Sequence, residues 1–105
     1  YALNEPKKAI HHYEEAIRLN PNFTEAYFNL GTLHQSQSEY SQAINAYEKA
    51  LTIQPGFYEA LANIGTIKQL QGRLDEAIEC FKRTITIQED AKGHYNLANR
   101  PNRQK

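Results

Sequence analysis

The chain has 105 residues with 12 positive and 12 negative side chains, and 40% of it is apolar. That length suits one small domain, and a formal net charge of +0 gives no global electrostatic pull toward nucleic acid or an anionic membrane. A single cysteine, Cys80, excludes an internal disulfide, and no apolar run approaches the roughly 18 residues that span a bilayer.

The N-terminal Tyr1-Ala2-Leu3 is followed by polar Asn4-Glu5-Pro6-Lys7-Lys8, which is not a signal-peptide pattern. The absence of an initiator Met reads as a piece of a longer or processed chain. A first helix is predicted over 5–19, with Asn4 placed to cap it and Pro6 in its first turn. Asn20-Pro21 ends it. A second helix is predicted over 23–37, where Tyr27, Leu30, Gly31 and His34 share one face. A third, over 40–53, carries Ala43, Ile44, Tyr47, Ala50 and Leu51 in the same pattern and ends at Gln54-Pro55. Helices over 57–71 and 74–87 follow, joined by a tight turn at Gln71-Gly72-Arg73. A last helix is predicted over 91–99, stopped before Pro101, which cannot continue one.

These elements repeat. Ala9-Ile10, Ala43-Ile44 and Ala77-Ile78 recur at one interval (43 − 9 and 77 − 43 both equal 34). Tyr13, Tyr47 and Phe81 keep that interval, as do Ala16, Ala50 and Thr84, and the pairs Glu25-Ala26 and Glu59-Ala60. Asn29-Leu30-Gly31 returns as Asn63-Ile64-Gly65. Small residues such as Gly31, Ala43 and Ala50 let helices approach closely, with Tyr27 and Tyr47 filling the space beside them. A glycine inside a helix costs about 1 kcal/mol relative to alanine, so its recurrence at Gly31 and Gly65 points to a packing gain that exceeds the cost.

A 34-residue helix pair carrying Tyr27, Leu30, Gly31, Ala43, Tyr47, Ala50 and Pro55 resembles the tetratricopeptide repeat, and the next unit carries Leu61, Ile64, Gly65, Ala77, Phe81 and Thr84. The resemblance covers almost the whole chain. It implies an all-α fold, an α-solenoid of antiparallel helix pairs wound into a right-handed superhelix. Its expected units are a partial repeat 1–23, repeats 24–57 and 58–90, and a partial repeat 91–99, with a disordered basic tail at 100–105. Some positions depart from the family pattern. His34 and Lys68 stand where a Tyr is expected, Glu89 replaces the closing Pro, and one residue is lost after it, since Asn63 maps to Asn96 at 33. With its first helix reduced to Tyr1-Ala2-Leu3, helix 5–19 is expected to expose Ile10, Tyr13 and Ile17, which points to contact with a longer parent chain or to self-association in isolation.

Catalytic signatures are missing: there is no phosphate-binding glycine loop, no Gly-x-Ser-x-Gly and no His-Glu-x-x-His. The chain reads as a non-enzyme without cofactor or metal. Adjacent His11 and His12 diverge by about 100° on a helix and cannot share one ion. His34 reads as a core-edge substitute for Tyr. Cys80, in the register of His12 and Ala46, reads as an outward, inert thiol, although Lys82 and Arg83 are near enough in sequence to leave reactivity open.

The first helix of each unit carries a second stripe. Glu25, Asn29, Thr32 and Ser36 are echoed by Glu59, Asn63 and Thr66, and then by Lys92, Asn96 and Asn99. The family resemblance places this stripe in the concave groove of the superhelix. An Asn amide both donates and accepts, so a column of Asn29, Asn63 and Asn96 suits the backbone of an extended peptide. The column is similar to the asparagine ladder in the repeats of O-linked N-acetylglucosamine transferases. The competing reading is a solvated stripe, or Asn bonded locally to the next helix. Phe28 and Tyr95 flank the column as apolar contacts, whereas Glu25 and Glu59 sit where the helix dipole favours acid whatever is bound. The family's carboxylate clamp for C-terminal tails is poorly matched, with Phe28 and Ala62 where a base is needed.

The leading expectation is a scaffold that binds a protein or peptide partner in the groove. Alternatives are the non-catalytic repeat segment of a larger enzyme such as a glycosyltransferase, orienting protein substrate, or a homo-oligomer built through incomplete terminal repeats. Nucleic acid and membrane are not expected partners, and the cytoplasm is the expected compartment.

Overall fold

A computed structural model describes residues 5–99, with side-chain surroundings through residue 92. Five helices follow in chain order: α1 (Glu5–Leu19), α2 (Thr24–Ser36), α3 (Tyr40–Ile53), α4 (Tyr58–Leu70) and α5 (Leu74–Asn99). Each helix packs on its neighbour in sequence, and the tightest pairs are α2 with α3 and α4 with α5. The fold is an all-α solenoid of helix pairs, as the repeat predicts.

Two kinds of turn alternate, and each has its own chemistry. Within a pair, the chain reverses through a left-handed residue, Ser38 (φ 61°) or Gly72 (φ 77°). In both turns the following amide reaches back across the helix end, Glu39 N–H to His34 O and Arg73 N–H to Lys68 O, each at 2.8 Å. This satisfies carbonyls that the helix terminus leaves open. Ser38 adopts at a cost a conformation that Gly72 adopts freely. Ser38→Gly is therefore expected to stabilise the fold by about 1 kcal/mol, raising the midpoint by roughly 4–8 °C. A thermal melt with an unchanged or lower midpoint would contradict this.

Between pairs, the turns are built on proline. Phe23 N–H bonds Asn20 O, Phe57 N–H bonds Gln54 O, and Pro21 and Pro55 offer no amide to extend the preceding helix. The third such turn, predicted near 88–90, does not form: α5 runs through it as one 26-residue helix. Glu89 and Asp90 stand where Pro55, Gly56 and Phe57 stood, so both helix breakers are gone. Residues 91–99 thus prolong α5 instead of folding back as a separate helix. Asn4, proposed as a cap, lies outside the described residues, as does the tail 100–105.

The core sits across the junction of the two complete pairs. Ala43 and Tyr47 of α3 meet Ala60, Ile64 and Ile67 of α4, and Phe28, Tyr40, Ile44 and Leu51 are packed against them. Tyr47 is the largest side chain with no exposure at all, alongside Ile67. Its ring lies over Gly31, where an added Cβ would stand 2.5 Å from Tyr47 Cε1. Gly65 occupies the same place beneath Phe81.

The predicted opening at the first helix is not found. Ile10, Tyr13 and Ile17 are all half-buried, because α1 packs on α2. The bare apolar stripe lies at the other end, on α5, at Leu74, Ile78 and Ile85.

Candidate functional site

The stripe on the first helices consists of α2 and α4 side chains that are neither core nor fully solvated. Asn29, Thr32 and Asn63 are half-buried, while Glu25, Ser36, Glu59 and Thr66 are exposed. The hydroxyls are already occupied by their own helices, Thr32 donating to Asn29 O at 2.8 Å and Thr66 to Ala62 O at 3.2 Å. Glu25 and Glu59 stand in the first turns of α2 and α4, where the exposed helix dipole favours negative charge.

Asn63 is held by its neighbours. Its Nδ2 donates to the Tyr47 hydroxyl at 3.3 Å, and that hydroxyl donates to Gln35 Oε1 at 2.6 Å. A phenol has one proton. With that proton given to Gln35 Oε1, the hydroxyl oxygen accepts from Asn63 Nδ2. The relay ties α4, α3 and α2 together and leaves Asn63 Oδ1 and its second N–H for other partners. Burial pushes the Tyr47 hydroxyl above the usual phenol range, an effect the Asn63 bond partly counters. Local bonding to another helix, the competing reading of the Asn column, therefore holds for one of Asn63's polar atoms.

Phe28 is less free than the sequence suggested. Its ring packs on Phe57 and Tyr47, with centroids 5.0 and 5.7 Å apart. Asn96 and Tyr95 fall on the prolonged α5, and their side chains lie outside the described residues. The structure thus places Asn29 and Phe28 on α2 and Asn63 on α4, with Phe28 and Asn63 both against Tyr47. It does not supply a separate third helix to carry the column onward.

Two further features escaped the reading of the sequence. Crevices of about 290 Å³ open between successive second helices, one lined by Glu14, Leu30 and Lys49 and the other by Glu48, Ile64 and Arg83. Every one of these pairs differs by 34, so the repeat itself held the signal. On α2 the crevice residue His34 lies about 140° round from Asn29, on a different face. His34 sits at the core edge, its Nδ1 2.7 Å from Glu39 Oε1.

The second feature is Cys80, which was expected to face outward. It is half-buried on the crevice floor, with its Cβ close to Gly65, and Ala46 in the same register is buried at 4% exposure. That helix position faces the first helix of its pair. Burial raises the Cys80 thiol above its ordinary value against the opposing pull of Lys68 and Arg83, which suits an unreactive thiol. At the rim, Lys68 and Arg73 hold Glu76 below the usual carboxylate range, chiefly through the 2.6 Å bond from Lys68 Nζ. Among the described residues, no group of His, Cys, Asp and Glu is arranged to hold a metal ion. No helix among them is long and apolar enough to cross a membrane.

The family description "Tetratricopeptide repeat" matches residues 24–57 and 58–90, and "TPR repeat" matches residues 1–38. The chain belongs to the tetratricopeptide repeat family. Among solved structures, this tetratricopeptide repeat chain is similar to two crystal structures of MamA, each at 36% identity over 88% of the chain, with TM-scores of 0.84 and 0.80. It spans about half of those proteins, 54% and 50% of their length. A search of curated proteins finds no match. Tetratricopeptide repeat arrays of this kind are protein-interaction scaffolds, and their type is generally non-catalytic.

Proposed function

We propose that the chain binds an extended segment of a partner protein along the face formed by α2 and α4, with Asn29 and Asn63 pairing to the backbone of that segment. The reading rests above all on the Tyr47 relay. An amide whose orientation is fixed before binding loses little freedom when a ligand arrives, which favours affinity. Asn63 has this support. In the next unit the register of Tyr47 holds Phe81, which has no hydroxyl to fix an amide. Phe28 offers an apolar surface beside the column, and Thr32 and Thr66 border it. Glu25 and Glu59 add negative charge at the entry to each first helix. Asn96 and Tyr95 join the site to the extent that residues 91–99 take up the position of a first helix.

The test is a peptide array probed with the native chain and with the triple variant Asn29→Ala, Asn63→Ala, Asn96→Ala. Binding is expected to weaken by about tenfold or more, the equivalent of one or two net hydrogen bonds, while the far-UV helical signal persists. Single variants should rank with Asn63→Ala as the most harmful. If the folded triple variant binds as the native chain does, the amide column is not the recognition surface.

A further inference from the structure

The crevices between successive second helices repeat a pattern of charge as well as of shape. Each has an acid on one wall, a base on the other and an aliphatic floor between them. Glu14 of α1 and Lys49 of α3 flank Leu30, and Glu48 of α3 and Arg83 of α5 flank Ile64. All four charged side chains are exposed, and among the described residues none of them has an ion-pair partner. Elsewhere on the rim charges do close on each other, as Lys68 and Glu76 do at 2.6 Å. Leu51, Leu61 and Cys80 complete the floor between α3 and α5. A volume of about 290 Å³ admits a side chain but falls short of the usual range for a whole small-molecule ligand.

We propose that these crevices form a second docking surface, taken by a helix of a partner protein that crosses α1, α3 and α5. An aliphatic side chain of that helix seats in a crevice, with a basic residue toward Glu14 or Glu48 and an acidic residue toward Lys49 or Arg83. In a helix, the residues one turn before and one turn after an anchor share its face, about 5–6 Å to either side, which sets them toward the two walls. The anchor supplies affinity by leaving water. The rim pairs stay near water and supply selectivity instead, because like charges on both flanks set one of them against a wall of its own sign. Glu79 stands one turn before Arg83, where the other crevice has Asn45. The base on this wall recurs in both crevices and the acid does not, which assigns the partner's acidic flank to the α5 side. No residue of the amide column lines either crevice, so the two surfaces are independent.

The test uses helical peptides with a single leucine on an alanine–glutamine frame, flanked one turn away on each side by lysine and glutamate, by two lysines or by two glutamates. Cys80 is the one cysteine of the chain and lies on the floor between α3 and α5, so its alkylation rate reports occupancy of that crevice. The lysine–glutamate peptide is expected to slow alkylation at a concentration about fivefold or more below that of either like-charged peptide. Replacing its leucine with alanine is expected to raise that concentration about tenfold or more. Reversing a wall should redirect the choice. Arg83→Glu should favour the two-lysine peptide and Glu48→Lys the two-glutamate peptide, with the helical signal retained because both positions are exposed. No protection by any peptide, one unchanged order of peptides in the native chain and both variants, or a native preference for two lysines overturns the proposal. So does protection of Cys80 that rises with the chain's own concentration in the absence of peptide, which would put a second copy in the crevice.

Discussion

Replacing Tyr47 with alanine is expected to cost about 3–5 kcal/mol, the range for deleting a buried aromatic. Domains of this size are stable by roughly 5–15 kcal/mol in total, so the loss is a large share of the whole. The position explains the size. Tyr47 has no exposure, lies over Gly31 in its own pair, joins the α4 residues of the next pair and stacks near Phe28. Its removal opens a cavity where two repeats meet. In a solenoid each repeat is supported only by its neighbours, so both pairs should loosen together. A thermal melt should show the midpoint falling by about 12 °C or more. Tyr47→Phe separates packing from polarity. It keeps the ring and loses the bonds to Asn63 and Gln35, both of which lie near solvent and can turn to water, so the expected cost is about 1 kcal/mol. The same variant tests the hydroxyl's perturbed ionisation. A phenol whose folded value is raised contributes stability fully below its ordinary value of 10.0, and that stability is lost as pH rises through the raised value. Tyr47→Phe should flatten this alkaline loss. Equal midpoints for Tyr47→Ala and Tyr47→Phe would show that the ring does not support the junction.

The helix pairs were legible in the sequence because their signals are local and repeated. Four predicted helices match α1 to α4 within a residue at each end, since most of their limits are set by Pro21, Pro55 and Gly72, whose backbone preferences act without help from the rest of the fold. The break near 88–90 was read from register alone. Register says where a turn stood in the other repeats, but only a helix breaker makes the chain turn there, and Glu89 and Asp90 are not breakers. Cys80 was misplaced for a related reason. His12 is exposed in the same register, but α1 lacks the described first helix that α3 and α5 each pack against, so the terminal repeat was a poor guide to the interior ones. The amide column illustrates a third limit. Spacing put Asn29 and Asn63 on one face, but the bond from Asn63 to a residue 16 positions earlier depends on how two repeats stack, and no pattern within one helix reports that.

Gly31→Ala is expected to destabilise the fold by about 2 kcal/mol, although glycine to alanine inside a helix normally gains about 1 kcal/mol. The new methyl would lie 2.5 Å from Tyr47 Cε1 and 2.6 Å from Cδ1, inside any van der Waals limit. The ring cannot yield, being fully enclosed and held at its hydroxyl by Gln35 and Asn63. Backbone separation of α2 from α3 is the remaining relief, and it opens the tightest pair in the structure. Gly65 provides the contrast. There the methyl would meet Phe81 Cε1 at 2.9 Å and Cys80 Cβ at 3.1 Å, but Phe81 is only half-buried, has no hydroxyl tether and borders the bare stripe of α5. It can swing aside, and Gly65→Ala should fall within about 1 kcal/mol of the native chain once the propensity gain is included. The clash at Gly31 also predicts coupling. In Tyr47→Leu the obstructing ring is gone, so adding Gly31→Ala should cost much less than it does alone, and the two effects should fail to add. Denaturant titration of the four chains of this cycle measures the difference. Strict additivity, or equal losses at Gly31 and Gly65, would mean that the enclosed Tyr47 ring is not what demands a glycine.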